Sequence, residues 1–304
     1  MKKEQYKDTV DLLLEILPFV LLDKRVALKG GTAINLFHRD FPRFSVDIDL
    51  CYLPLEDRKT TFSNLHEILN DIKESLESKL GLHVNSSNTI DNKKEAKLVA
   101  SKDGIEVKIE PNFVLRGSLF PAQNLILSKS AQVEFEKSVT ARCLNIADTY
   151  GGKICAALDR QHPRDLFDIK QLMENEGITD EVKDSFLFYL ISHNRPINEL
   201  LNPNCRDIKQ AYQNEFVDMA KVNIPVEELI KARENLVFKI NKVLNDSDRE
   251  FLVSFVSNKP DWSKVRDPKI KDYPSVKWKL FNQERMGSKK REDYIREVEK
   301  LFKF

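Results

Sequence analysis

Apolar residues recur along this chain with two different periods, and the change from one to the other divides it. Val10, Leu13, Leu14, Ile16 and Leu17 stand among charged positions at helical spacing, which predicts an amphipathic helix. Val26-Ala27-Leu28 is a short apolar run that predicts a strand; it leads into Lys29-Gly30-Gly31-Thr32, after which Ala33 to Phe37 resumes helical character. Ser45-Val46-Asp47-Ile48-Asp49-Leu50-Cys51 alternates, as a strand with one polar and one apolar face does. Over Asp57 to Leu80, the residues Leu65, Ile68, Leu69, Ile72 and Leu76 fall on one side of a long predicted helix. Lys97 to Ser101 and Ile105 to Glu110 read as strands joined through Lys102-Asp103-Gly104, where Asp-Gly signals a hairpin turn. From Asn145 onward nearly every stretch has helical period, beginning with Ala147 to Arg160 and Pro163 to Asn175.

The pattern predicts an α+β fold: a mixed sheet flanked by helices over residues 1–145, followed by a mainly helical domain over 146–304 that carries Lys153 and Asp168. Seven of the nine glycines precede residue 153, in keeping with that division, and 304 residues suffice for two cores. With 41% hydrophobic and 32% charged residues, the composition is that of a water-soluble globular protein. No apolar core of an export signal follows Met1, and the longest apolar stretch, Leu12 to Leu22, is broken by Glu15 and Pro18. Neither a signal peptide nor a membrane span is predicted, and a cytoplasmic location is expected. Cys51, Cys143, Cys155 and Cys205 form no CxxC pair, so reduced thiols are expected and a zinc site is not.

Asp47 and Asp49, two apart on a strand, leave the same face with Cα atoms about 6.6 Å apart. Two hard oxygen donors at that spacing suit Mg²⁺ or Mn²⁺, which can activate an attacking hydroxyl and steady a leaving phosphate. Lys29-Gly30-Gly31-Thr32 lies between a strand and a helix, where bare glycine backbone can approach a triphosphate. Along Ile105 to Glu110 the apolar residues face one way and Glu106, Lys108 and Glu110 the other. Either glutamate can complete a carboxylate triad if the two strands are neighbours, and Glu110, beside Pro111, is preferred. Lys153, Arg160 and Arg164 supply positive charge suited to a phosphate-rich substrate.

The order apolar strand, Gly30-Gly31, helix, then Ser45-x-Asp47-x-Asp49 and a later strand acid is similar to the signature of polymerase-β-like nucleotidyltransferases. Tyr150-Gly151-Gly152-Lys153-Ile154-Cys155-Ala156-Ala157, Arg160 and Arg164-Asp165-Leu166-Phe167-Asp168-Ile169 resemble the motifs of AbiEii toxins of type IV toxin–antitoxin systems. The resemblance implies a nucleotidyltransferase-type sheet and an NTP substrate held by Lys29, Gly30, Gly31, Thr32, Ser45 and Lys153. It further implies catalysis by Asp47, Asp49, Glu110, Lys153 and Asp168, with the metal on Asp47, Asp49 and Glu110. The implied acceptor is RNA, at the tRNA 3′ end, and the implied partner is an antitoxin encoded nearby that need not form a stable complex.

Two rival readings keep the fold and change the partner: transfer to a protein hydroxyl, or a catalytically silent relative that only binds RNA. From Ser257 to Phe304 there are 14 Lys/Arg against 8 Asp/Glu, interleaved with Trp262, Tyr273, Trp278, Phe281 and Tyr294. Such a mixture can hold phosphates and stack on bases, or simply form a solvated helical surface.

Overall fold

The computed structural model describes residues 2–87 and 96–302; Lys303 and Phe304, which close the basic tail, lie outside the described residues. The chain divides into two compact units, residues 1–149 with 213–224, and residues 150–212 with 225–304.

In the first unit, helix α1 (Lys3–Val20) is followed by β1 (Val26–Lys29), a single turn α2 (Gly30–Thr32) and a π-helical segment Ala33–His38. Then come β2 (Asp47–Tyr52), α3 (Arg58–Leu80), β3 (His83–Ser87), β4 (Lys97–Lys102), β5 (Ile105–Asn112), β6 (Gln123–Ile126), α4 (Lys129–Phe135) and β7 (Thr140–Cys143). The strands make one mixed sheet in the order β3-β4-β5-β2-β1-β7-β6. β2 runs antiparallel to β1 and parallel to β5, and β1 is parallel to β7.

The elements form for reasons visible in the residues. Asp57 caps α3, accepting from the amides of Lys59 at 2.8 Å and Thr60 at 3.1 Å, and Gly81 ends it in the left-handed conformation at φ 64°. Leu65, Ile68, Leu69, Ile72 and Leu76 form its buried stripe, as their spacing predicts. In the β4–β5 hairpin Asp103 and Gly104 both take positive φ, 50° and 82°, the geometry of a type I′ turn. α1 and α3 pack against one face of the sheet, covering Ile48, Leu50, Leu98, Ala100, Val107 and Ile109. Alternation therefore puts Asp47, Asp49, Lys108 and Glu110 on the other face.

Two of the boundaries that differ from the sequence reading bear on the predicted site residues. β2 starts at Asp47, so Ser45 and Val46 precede the strand; Arg43 instead makes an isolated antiparallel bridge with Ala220. β5 continues through Pro111 to Asn112, so Glu110 is not its last residue. The bridge draws residues 213–224 into the first unit, with the Phe44 amide donating to the Met219 carbonyl at 2.9 Å and the Lys221 amide to that of Pro42 at 3.0 Å. Met219 joins the core cluster of Phe41 and Phe44.

The second unit is helical. α5 (Ile146–Asp159) enters it at Tyr150, and α6 (Pro163–Glu174), α7 (Asp180–Ser192), α8 (Ile197–Leu201) and α9 (Lys209–Glu215) follow, the last leaving it after Tyr212. From Pro225 on it contains α10 (Val226–Val243), α11 (Asp246–Val256), two 3-10 turns, α12 (Pro274–Glu284) and α13 (Ser288–Phe302). α6 packs on α10, α7 on α12, and α11 on α13. No described helix is long and apolar enough to cross a membrane. All four cysteines are free, and burial pushes the Cys51 thiol up to about 11 and that of Cys143 up to about 12.

Candidate active site

The first unit gathers eight of the residues singled out in the sequence. β1, β2 and β5 lie side by side, and their register sets Lys29 opposite Asp49 and Asp49 opposite Glu110, with Asp47 opposite Lys108. Neighbouring strands are about 4.8 Å apart, so Asp49 and Glu110 are adjacent on one face. Glu110 rather than Glu106 stands beside the Asp-x-Asp pair, because Glu106 lies two register positions before Lys108 and is paired with Ser101 of β4.

The Gly-Gly turn closes directly over these carboxylates. Gly30 has φ +72°, and a Cβ there would lie 2.5 Å from Asp49 Oδ2. A Cβ at Gly31 would lie 2.8 Å from a terminal nitrogen of Arg43 and 2.9 Å from Ser45 Oγ. Gly30 is thus required by close approach and by its backbone conformation, while a side chain at Gly31 would displace the ends of Arg43 and Ser45. Thr32 Oγ1 donates to the Asp47 carbonyl oxygen at 2.5 Å and lies 3.0 Å from Ser45 Oγ, tying the turn to the start of β2. Lys29, Gly30, Gly31, Thr32, Ser45, Asp47 and Asp49 therefore make one continuous patch.

Asp47 and Asp49 can hold a divalent cation, since Mg²⁺ is bound through one or two carboxylates with substrate phosphates filling further positions. Glu110 is engaged elsewhere: its carboxylate accepts from Lys97 Nζ at 3.3 Å, from the next strand. Among the described residues no group of three or more His, Cys, Asp or Glu is gathered tightly enough to hold a metal ion. Reading the strands separately missed Lys97, whose link to Glu110 depends on β4 pairing with β5. It also missed Arg43, buried beside Gly31, whose guanidinium donates to the Phe44 carbonyl at 2.8 Å.

Lys153 and Asp168 belong to the second unit, and there they meet. Lys153 Nζ lies 3.0 Å from Asp168 Oδ2 and 3.1 Å from Asp165 Oδ1, with the lysine 7% exposed and the two carboxylates at most 1%. Arg160, half-exposed, clasps Asp165 through Nε at 2.5 Å and a terminal nitrogen at 2.9 Å. Burial pushes the Asp165 carboxyl up, but Lys153 and Arg160 outweigh it and hold the group well below the usual carboxylate range.

Local sequence explains the cluster. Pro163 opens α6 and His162 caps it, its ring nitrogen accepting from the Arg164 amide at 3.2 Å, so Asp165 and Asp168 leave one side of the helix a turn apart. Asp165 does more than complement the helix dipole, since it anchors both cations. Gly151 and Gly152 serve packing: a Cβ on Gly151 would lie 2.6 Å from Ser185 Cβ, and one on Gly152 3.3 Å from the Tyr189 ring, so α7 approaches α5 closely at the turn bearing Lys153.

Comparison with known proteins bears on the family and the fold. The sequence model of the family described as nucleotidyl transferase AbiEii toxin, type IV TA system, matches residues 11–282. Among solved structures, the nucleotidyltransferase toxin MenT4 of Mycobacterium tuberculosis superposes with a TM-score of 0.61 at 14% identity, over 91% of this chain and 92% of that one. JHP933 of Helicobacter pylori aligns over 76% of this chain and 92% of its own with a TM-score of 0.45 and 16% identity. No curated protein matches the sequence. The likeness to MenT4 shows a shared fold, and the family match spans both the Asp-x-Asp strand and the Lys153–Asp168 helices, so the chain belongs to the AbiEii family of nucleotidyltransferase toxins of type IV toxin–antitoxin systems.

Proposed function

We propose that this nucleotidyltransferase moves a nucleoside monophosphate from an NTP to a hydroxyl of RNA, at the 3′ end of tRNA, in the cytosol. The residues 1–145 are read as the nucleotidyltransferase domain and 146–304 as the helical domain that contributes Lys153 and Asp168. The observation that carries the reading is the close approach of the bare Gly30-Gly31 backbone to Asp49 and Ser45, which sets a strand-to-helix turn of the kind whose amides receive phosphates beside the Asp47–Asp49 carboxylate pair. Asp47 and Asp49, with Glu110 once it leaves Lys97, would hold Mg²⁺ or Mn²⁺; bound there, the ion would neutralise phosphate charge and lower the pKa of the attacking hydroxyl.

In the reaction the acceptor hydroxyl gives up its proton to water as its oxygen bonds to the α-phosphorus, the bond from that phosphorus to the β-phosphate oxygen breaks, and pyrophosphate leaves with the electron pair. Lys29, the Gly30–Thr32 backbone and Ser45 hold the triphosphate. Lys153 is read as the cation that binds the nucleotide, and Asp168, which is ion-paired with it, as a catalytic acid.

The test is incubation with each α-labelled NTP, Mg²⁺ and total cellular RNA, and separately with cellular protein. Label in one RNA band is the expected result. Label in a protein band places the chemistry on a protein hydroxyl, and no label with any NTP, beside intact RNA binding, marks a silent relative. Because the family belongs to type IV systems, an antitoxin is a partner, and co-expression with a neighbouring gene that restores growth would identify it.

A further inference from the structure

α12 is fixed by one face and shows a different chemistry on the other. Toward the unit's interior, Ser275 Oγ lies 3.0 Å from Ser192 Oγ, Val276 and Gln283 are buried, and the Lys279 ammonium donates to the carbonyls of His193 and, at 2.8 Å, Arg195. Outward stand Lys277, Trp278, Phe281, Asn282 and Arg285, at the spacing of one helical face. Trp278 is 48% exposed and Phe281 45%. Their rings are stacked, with centroids 5.8 Å apart and planes 24° from parallel, and the Arg285 guanidinium carbon continues the column 5.2 Å from the Phe281 centroid.

Two large rings side by side, each left about half exposed, forgo much of the burial that ordinarily repays an aromatic side chain. Their setting is strongly charged: from Lys269 to Arg291 there are eight Lys/Arg and only two acids, Asp272 and Glu284. Lys279 and Arg291 are turned onto backbone carbonyls and Lys277 pairs with Asp272 at 3.3 Å, but Arg285, Lys289 and Lys290 remain exposed, and an apolar protein partner would add no counter-charge for them. A single-stranded polyanion with flat bases meets both demands, since its bases extend the ring column while its phosphates lie against the lysines. Resting on the reading that the acceptor is RNA, we propose that the column Trp278–Phe281–Arg285, flanked by Lys277, Lys289 and Lys290, is the surface that binds the single-stranded part of the acceptor by base stacking. Arg291 is not part of it. Its guanidinium donates to the carbonyls of Gln283 at 2.9 Å and Glu284 at 2.6 Å, closing the corner after α12.

The experiment uses the full chain and a fluorescently labelled single-stranded RNA oligonucleotide, with anisotropy measured over a series of salt concentrations. Trp278→Ala with Phe281→Ala should weaken binding at least about tenfold while leaving the salt dependence unchanged, because stacking is lost and no cation is removed. Lys289→Glu with Lys290→Glu should make the log affinity against log salt shallower by about 1 to 2. Unaltered melting temperature and NTP affinity in the aromatic variant would confirm that the fold and the nucleotide site are untouched. Binding equal to wild type in both variants overturns the surface, and so does normal RNA binding coupled to loss of self-association or of antitoxin contact, which would make it a protein interface. If the wild-type chain binds no RNA at all, the RNA reading falls together with the surface; if RNA is labelled as well by the aromatic variant as by wild type, at equal affinity, the surface alone falls.

Discussion

Asp49 shows how much a single position is asked to do. Its carboxylate lies against Gly30 on one side and beside Glu110 in the next strand on the other, so removing it or crowding it should have similar consequences. Asp47→Ala or Asp49→Ala is expected to lower labelled-NTP transfer by about 10²- to 10⁴-fold, the loss of several kcal/mol of charge stabilisation, with an unchanged circular dichroism spectrum. A folded Asp47→Ala protein with full activity would refute the metal assignment. Gly30→Ala should approach the Asp49→Ala defect, since the methyl group would meet Oδ2 at 2.5 Å and a left-handed backbone there costs alanine about 1–2 kcal/mol. Gly31→Ala meets only side-chain ends, Arg43 and Ser45, which can shift; its effect should be confined to weaker NTP binding by isothermal titration. Ser45→Asp, placing a charge at the spot read as the triphosphate site, should abolish transfer where Ser45→Ala retains part of it.

At the scale of elements, buried charge makes two helix contacts sensitive to pH in opposite ranges. α5 and α6 are joined by Lys153 between Asp165 and Asp168. Asp165→Asn leaves the cations under-compensated and should cost about 3 kcal/mol in urea unfolding at pH 7. The folded-state pKa of Asp165 is depressed, so its contribution is complete above the unfolded value near 4 and declines as pH falls below it. The gap between wild type and Asp165→Asn should therefore narrow by up to about 1.4 kcal/mol per pH unit on acidification below 4. α12 behaves the other way at alkaline pH. Burial pushes the Lys279 ammonium down to about 8 from an ordinary 10.5, so between those values the unfolded chain binds a proton that the native chain has shed. Wild type should gain stability relative to Lys279→Met as pH rises from 8 to 10.5, and a constant difference over that range would refute the assignment.

For the molecule as a whole, the segment 213–224 is the least expected feature: separated in sequence from the sheet, it supplies Met219 to the Phe41–Phe44 core and pairs with residues 42–44. A fragment ending at residue 149 should consequently melt lower than the same fragment fused to 213–224, by differential scanning fluorimetry, since a buried methionine and a strand bridge are missing. The long α3 stripe, the Asp103-Gly104 hairpin and the Gly30-Gly31, Asp47-x-Asp49 and Lys153–Asp168 motifs were legible in the sequence, because each is written in neighbouring residues whose period or turn chemistry acts locally. The edge strands β3 and β6, and β7 between β6 and β1, carry short, largely polar runs without a clear alternation, and they form because a neighbouring strand offers them unpaired amides and carbonyls. Likewise, the choice of Glu110 over Glu106 as the neighbour of Asp49, its tie to Lys97, the burial of Arg43 and the closing of Asp165 and Asp168 on Lys153 follow from strand register and helix packing. The residue types able to do the chemistry were thus determined by the sequence itself; which of them stand together was decided by tertiary structure alone, because register and packing join residues that no local period relates.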